Sequence, residues 1–393
     1  MVADRVLKRV KGGSAIRAAF NKAEEMRSIY GDTKVFDLSI GNPGAPVPEE
    51  VRAAIASTAL DPDLQHSYMC DAGYPSVRRK IATSLNTCFN ACCTEENIIM
   101  TSGAAGALNS SLYTLIDPGD EVIVLAPYYP AYTSFITNFS GRQVTSYPKL
   151  PEFTPDLEDL ESKINSRTKA VIVNSPNNPS GVVYDRNTVR CISELLKRKQ
   201  HELGHTIYVI SDEPYRELLF NDQSPVWWPD FYENTIVIYS FSKSLSIPGE
   251  RIGYMFIPGA MDDFDITVSA LRSATGALGY VNAPAFFQRV AGACADLSVN
   301  VDYYRYSRDL LTDKLRALGF EFPDPQGAFY IFLKVPSGNE EEFLSLAQSH
   351  GLIFVPGSAF GLKGYVRISF CGSHDTIERS IPYFDLLAKD CSL

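Results

Sequence analysis

Six short runs in this chain are almost continuously apolar and rich in β-branched residues, and each is followed closely by Gly, Asn, Asp or Ser. They are Asn97–Ser102, Glu121–Ala126, Ala170–Asn174, Thr206–Ser211, Thr235–Ser240 and Gly253–Ile257. A strand with one wet face alternates apolar and polar residues. A run without that alternation belongs to a strand covered on both faces, the condition of a mostly parallel sheet flanked by helices. Helical patterns lie between the runs. After Gly103 the apolar residues Ala104, Leu108, Leu112 and Ile116 recur every four positions, until Asp117-Pro118-Gly119-Asp120 stops the helix. Over 187–200, Val189, Ile192, Leu195 and Leu196 share one face. Alternating strands and helices predict an α/β domain over residues 48–285. Residues 286–393 read differently, as a smaller α+β domain: a charged, aromatic helix over 300–318, short strands over 328–334 and 365–370, and two further helices. Residues 1–47 are expected to pack on that smaller domain.

Composition limits the partners. With 393 residues, 45% of them hydrophobic and 21% charged, the chain can bury a large core without disulfides or a structural metal. Its 36 basic and 46 acidic residues leave a net charge of −10, which argues against nucleic acid or an anionic membrane as the main partner but allows a local basic pocket for a small anion. The apolar runs are far shorter than the roughly 20 residues that cross a bilayer. Met1–Phe20 mixes Arg and Lys with apolar residues and does not read as a signal peptide. The eight cysteines form no Cys-x-x-Cys pair. Cys88, Cys92 and Cys93 cluster, but no matching half with a His follows, so no metal is expected and the thiols point to a reduced, cytoplasmic setting.

In an open parallel sheet, ligands bind beyond the carboxyl ends of the strands. The polar residues just after the runs are Ser102-Gly103, Asn174 with Asn177-Asn178, Asp212 with Tyr215, and Ser240 with Ser242-Lys243. One cleft would collect all four groups. Taken singly, each has a plain structural reading. Lys243 suits a solvated loop, Asp212 a helix N-cap, and Gly103-Ala104-Ala105 an ordinary helix start. Taken together, two hydroxyls, Arg251 and a helix start are the parts of a phosphate site, and a lysine beside them in a partly dry cleft is a candidate Schiff-base lysine. Asp212 is then a partner for a cationic ligand atom.

Five blocks turn this constellation into a resemblance. Ser240-Phe241-Ser242-Lys243-Ser244 with Pro248-Gly249-Glu250-Arg251-Ile252-Gly253 resembles the lysine signature of the class I/II aminotransferases, the pyridoxal-phosphate enzymes typified by aspartate aminotransferase. Asn174–Gly181 resembles the family's Asn-Pro-x-Gly block, and Ser211–Tyr215 its Asp-x-x-Tyr block. Tyr365–Ser369 resembles the C-terminal arginine block, and Leu38–Pro43 the N-terminal glycine block. Order and spacing agree from Phe36 to Arg367.

The resemblance implies a fold type I transferase: a large cofactor domain with a mostly parallel sheet, and a smaller α+β domain. It implies pyridoxal 5′-phosphate held as an aldimine on Lys243, with the freed amine later moving the proton. Asp212 would pair with the pyridine nitrogen, and Tyr215 and Asn178 with the phenolic oxygen. Ser240, Ser242, Arg251 and the amides at Gly103, Ala104 and Ala105 would hold the phosphate, and Tyr129 would stack on the ring. Arg367 would bind the substrate α-carboxylate near Asn178 and the Gly41 backbone. Tyr68 would reach the phosphate from a neighbouring subunit, making the enzyme a homodimer with a shared site. Asn178-Pro179 is a candidate cis peptide.

Two departures stand out. Ala104 and Ala105 occupy positions where relatives often carry Ser, Thr or Lys. No arginine matches the one that reads the distal carboxylate in aspartate aminotransferases; Arg17 is the candidate, with a solvated helix face as its alternative. The implied reaction exchanges an L-α-amino acid, aspartate first and aromatic donors next, with a 2-oxo acid such as 2-oxoglutarate. Tyr74, Tyr128, Tyr129 and Tyr132 would suit an aromatic side chain. The alternative on the same scaffold is a carbon–sulfur β-lyase or a decarboxylase. A winged-helix regulator is excluded because the α/β pattern begins near residue 48. A nicotinamide dehydrogenase is excluded because no strand is followed by Gly-x-Gly-x-x-Gly.

Overall fold

The computed structural model describes residues 2–3, 6–7, 10, 13–64, 66–220, 224–298 and 300–393. The expectation for Met1–Phe20 therefore lies partly outside the described residues. Among those described, seven strands form the central sheet: β1 (Ile98–Thr101), β2 (Glu121–Leu125), β3 (Arg142–Ser146), β4 (Thr168–Val173), β5 (Tyr208–Asp212), β6 (Thr235–Ser240) and β7 (Gly253–Phe256). Their order across the sheet is β1-β7-β6-β5-β4-β2-β3. Pairing is parallel from β6 through β5, β4 and β2 to β3, while β7 runs antiparallel to both of its neighbours.

The apolar runs become these strands because both faces are covered. Val122, Val124, Val171, Val209, Ile236 and Ile238 have no exposed surface. Truncating either isoleucine to alanine costs about 2–5 kcal/mol, because the packed surroundings do not collapse into the gap. β3 was not among the six runs. It is an edge strand, largely half-buried, and Arg-Gln-Val-Thr-Ser carries no apolar run to mark it.

The reversed direction of β7 has a consequence for the site. Gly253, its first residue, pairs with both Ser240 and Thr101, the ends of their strands. The residues that precede β7, Arg251 among them, therefore stand on the same rim as the residues that follow β5 and β6. Gly253 is needed for this crossing: a Cβ there would collide with the Tyr239 carbonyl and come within 3.1 Å of the Gly103 Cα.

Four helices position or flank the rim: α1 (Ala15–Tyr30), α2 (Pro75–Phe89), α3 (Gly103–Leu115) and α4 (Ala131–Asn138). The helix anticipated over 187–200 runs Arg186–Leu203, started by the Asp185 side chain on the Thr188 amide and ended by Gly204 in the left-handed region. Towards the C-terminus, Tyr330–Lys334, Tyr365–Ser369 and Val355–Pro356 form a three-stranded antiparallel sheet, with a helix over Val301–Ala317. The first of these strands starts two residues later than the 328–334 expectation, since Ala328 sits at φ +57°, outside any strand geometry. Phe36–Asp37 pairs in parallel with Leu352–Ile353, tying the N-terminal segment to this region. No helix among the described residues is long and apolar enough to cross a membrane.

Candidate active site

A pocket of about 260 Å³ opens at the rim. The cofactor- and substrate-site residues singled out from sequence line it, except Gly103 and Tyr68; Arg17 does not, nor do Tyr74, Tyr128 and Tyr132, three of the four tyrosines expected to favour an aromatic side chain. Lys243 enters it from a single helical turn, Phe241–Ser244, which follows β6 directly and is started by Ser240 Oγ accepting from the Ser242 amide. The Lys243 amine donates to the Gly41 carbonyl at 2.6 Å. Burial lowers its pKa to about 8; Cys371 pulls the other way, and Arg367 and Arg251 add to the fall.

Asp212 ends β5 and is followed by a turn, so its carboxylate is a buried group and not a helix cap. Tyr132, from α4, donates to Asp212 Oδ2 at 2.6 Å, and Asn174 Nδ2 donates to the Asp212 carbonyl at 2.8 Å. Among the described residues Oδ1 has no partner. Burial pushes the Asp212 pKa up to about 7, with the Tyr132 bond opposing the rise and Glu213 adding to it. The sequence reading has Tyr132 as a pocket aromatic, whereas it stands behind the wall as the partner of Asp212. Its signal was the i,i+3 spacing from Tyr129 where α4 begins, and the two rings meet edge to face at 5.6 Å.

The anion corner is built from Ser240, Ser242, Arg251 and the start of α3. Ser240 Oγ donates to Ser242 Oγ at 2.8 Å, and the Arg251 guanidinium lies 3.0 Å from where a Cβ of Gly103 would stand. Ser102 places no side-chain cap on α3, so its first amides face this corner free of one. Ala104 and Ala105 offer backbone only.

At the opposite wall Arg367 is 2% exposed. Nη1 donates to Asn178 Oδ1 at 3.0 Å, Nη2 donates to the Ser39 carbonyl, and Nε has no partner among the described residues. The guanidinium lies over the Tyr330 and Phe360 rings, 4.5 and 4.9 Å from their centroids. Asn178 is itself fixed, its amide donating to Asn174 Oδ1 at 2.8 Å, and Asn178–Pro179 is cis. Tyr215 and Tyr330 share a hydrogen bond of 2.9 Å between their hydroxyls. A Cβ on Gly41 would collide with the Tyr330 hydroxyl, so only glycine admits that phenol. Tyr330 carried no sequence signal, because it meets the site only through the C-terminal sheet.

Tyr68 and Arg17 stand away from the pocket. Tyr68 is 92% exposed on this chain's own surface. Ile16, not Arg17, lines the pocket, and Arg17 is exposed. No group of three His, Cys, Asp or Glu suited to a metal occurs among the described residues, and the eight cysteines are free. The donor set fits a flat ligand with an anionic group at the Ser240–Arg251 corner, a cationic ring atom at Asp212 Oδ1, and an electrophile within reach of Lys243.

The raised pKa of Asp212 has a measurable consequence for the protein free of ligand. The folded state holds its proton more tightly than the unfolded state, so stability falls as pH rises from about 3.8 to about 7 and is level above that. Asp212→Asn removes this penalty. Its melting temperature relative to the parent should climb between pH 4 and pH 7 and then stay constant; a pH-independent difference would contradict the titration.

Residues 33–383 match the family model described as aminotransferase class I and II. A protein from Thermus aquaticus named a probable aspartate/prephenate aminotransferase is 33% identical, the match covering 88% of this chain and 90% of that protein. A crystal structure of an amino transferase from Eubacterium rectale superposes with a TM-score of 0.96 at 37% identity, covering both chains fully. The aspartate aminotransferase from Thermus thermophilus with maleate superposes with a TM-score of 0.86 at 28% identity, covering 98% of this chain and 99% of that one.

Proposed function

The chain belongs to the class I and II aminotransferases, and from that premise we propose that it moves the amino group of an L-α-amino acid onto a 2-oxo acid, with pyridoxal 5′-phosphate held at Lys243. The observation that carries this reading is the pairing of a buried, readily neutral lysine amine with the unpartnered Oδ1 of Asp212 in one pocket. The residues fit the cofactor: a carboxylate with a free lone pair for the ring nitrogen, hydroxyls and a guanidinium for the phosphate, and an amine for the aldehyde. Tyr129 would cover the ring face, and Tyr215 and Asn178 would hold the ring hydroxyl.

When bound, the cofactor supplies an electron sink that stabilises negative charge at the substrate Cα. The rest of the work falls to the chain. Lys243, with a pKa near 8, is partly uncharged near neutrality and moves the Cα proton as a base and then as an acid. Asp212 would hold the ring nitrogen protonated through the unpartnered Oδ1, while the Tyr132 bond occupies Oδ2. Arg367, kept flat by Tyr330 and Phe360, takes the α-carboxylate as a two-toothed fork.

We further place a large cofactor unit at 48–285 and a smaller unit at 286–393, with 1–47 packed on the latter. The exposure of Tyr68 suits delivery to the phosphate of a second copy, hence a homodimer with shared sites, and the free thiols suit a cytoplasmic setting. Aspartate is the first donor by likeness to the Thermus relative, with 2-oxoglutarate as acceptor and aromatic donors next. The test is a donor panel with 2-oxoglutarate, scoring glutamate formed. Aspartate should give the highest kcat/KM. Pyruvate or carbon dioxide released without glutamate would make the enzyme a lyase.

A further inference from the structure

A cavity of about 500 Å³ lies apart from the catalytic pocket, between α2, the chain that leaves β5, the β6 and β7 strands, and residues 295–298. Arg216 and Glu217 stand in its wall. Arg216 is 4% exposed; Nε donates to Glu213 Oε2 at 2.7 Å and Nη1 to the Tyr254 hydroxyl at 3.0 Å, but Nη2 has no partner among the described residues. Glu217 accepts from the Tyr239 hydroxyl on Oε1 at 2.9 Å, while its buried Oε2 has no partner among the described residues. Buried polar atoms are nearly always paired, and these two have not paired with each other. The guanidinium lies over the Tyr239 ring at 4.6 Å and over the Phe89 and Trp227 rings at 5.4 Å each. The remaining wall is mostly apolar, with Ile81, Leu85 and Phe241 prominent.

We propose that this cavity binds a small zwitterion with an apolar body, of the class of α-amino acids with uncharged side chains. The carboxylate pairs with Arg216 Nη2, the ammonium with Glu217 Oε2, and the side chain lies against Leu85 and Phe89. A simple anion would leave Glu217 Oε2 without a partner, and a simple cation would leave Arg216 Nη2 without one. The position is suited to an effector. Glu217 is two residues from Tyr215, Leu219 bridges to Gly327 ahead of Tyr330, and the Tyr239 hydroxyl, its hydrogen given to Glu217, accepts from Ser244 Oγ, next to Lys243. The inference goes beyond the proposed activity and does not depend on it.

The probe is 1-aminocyclopentane-1-carboxylate, which has no hydrogen on Cα and cannot be transaminated, titrated calorimetrically into the holoenzyme. Binding should survive in Arg367→Ala and weaken at least tenfold in Glu217→Gln and in Leu85→Trp, which fills the cavity. Glu217→Gln is nearly isosteric and carries the test if Leu85→Trp does not fold. Cyclopentanecarboxylate and cyclopentylamine, each with half of the zwitterion, should bind at least tenfold more weakly. The proposal is overturned if the parent enzyme does not bind the probe at millimolar concentration. It is equally overturned if binding is lost in Arg367→Ala and untouched by both cavity variants, or if either half-molecule binds as tightly as the probe.

Discussion

Lys243→Ala should lose transamination by at least about 10⁴-fold in kcat, since it removes both the cofactor's anchor and a positioned proton carrier. The fold should not suffer. The amine makes one hydrogen bond, to the Gly41 carbonyl, and its lowered pKa records that burial works against its charge. In protein without cofactor, that penalty is full below about pH 8 and fades as pH rises towards the ordinary lysine value. The variant's melting temperature should therefore match or exceed the parent's at pH 7, and the gain should shrink by pH 10. Normal turnover by Lys243→Ala would remove the basis of the proposed mechanism.

Arg367→Ala should lower kcat/KM by about 30- to 5,000-fold, the range expected when one partner of a buried charged pair of about 2–5 kcal/mol is removed. Every donor carries the α-carboxylate, so the factor should be nearly constant across aspartate, aromatic and aliphatic donors. Arg367→Lys keeps the charge but not the fork, and should recover only part of the loss. A loss confined to one donor would mean that Arg367 reads side chains.

The parts of this molecule that sequence made legible share a physical cause. Strands such as β4 and β6 are covered on both faces, and burial wrote itself into unbroken apolar runs. β3 lies at the edge, half-wet, and left no such mark. Periodicity carries no direction, so the reversal of β7 was invisible although its residues were plain. Residues adjacent to strand ends, such as Asp212 and Lys243, could be picked out because the chain itself places them at the rim. Tyr132 backs Asp212 from α4 and Tyr330 enters the pocket from the C-terminal sheet, contacts set by tertiary packing across 80 and 115 residues. The exchange of Arg17 for Ile16 is a matter of helix phase: neighbours on α1 point about 100° apart, and sequence did not say which one faces inwards.

The central claim is that Lys243, Asp212 and Arg367 form one transamination site, and its most direct test is the half-reaction. Holoenzyme is mixed with a single amino acid and no oxo acid, and the cofactor's absorbance is followed. The account predicts stoichiometric conversion to the pyridoxamine form with one 2-oxo acid released per site, reversed by 2-oxoglutarate. Continuous product release with the cofactor spectrum unchanged would contradict it.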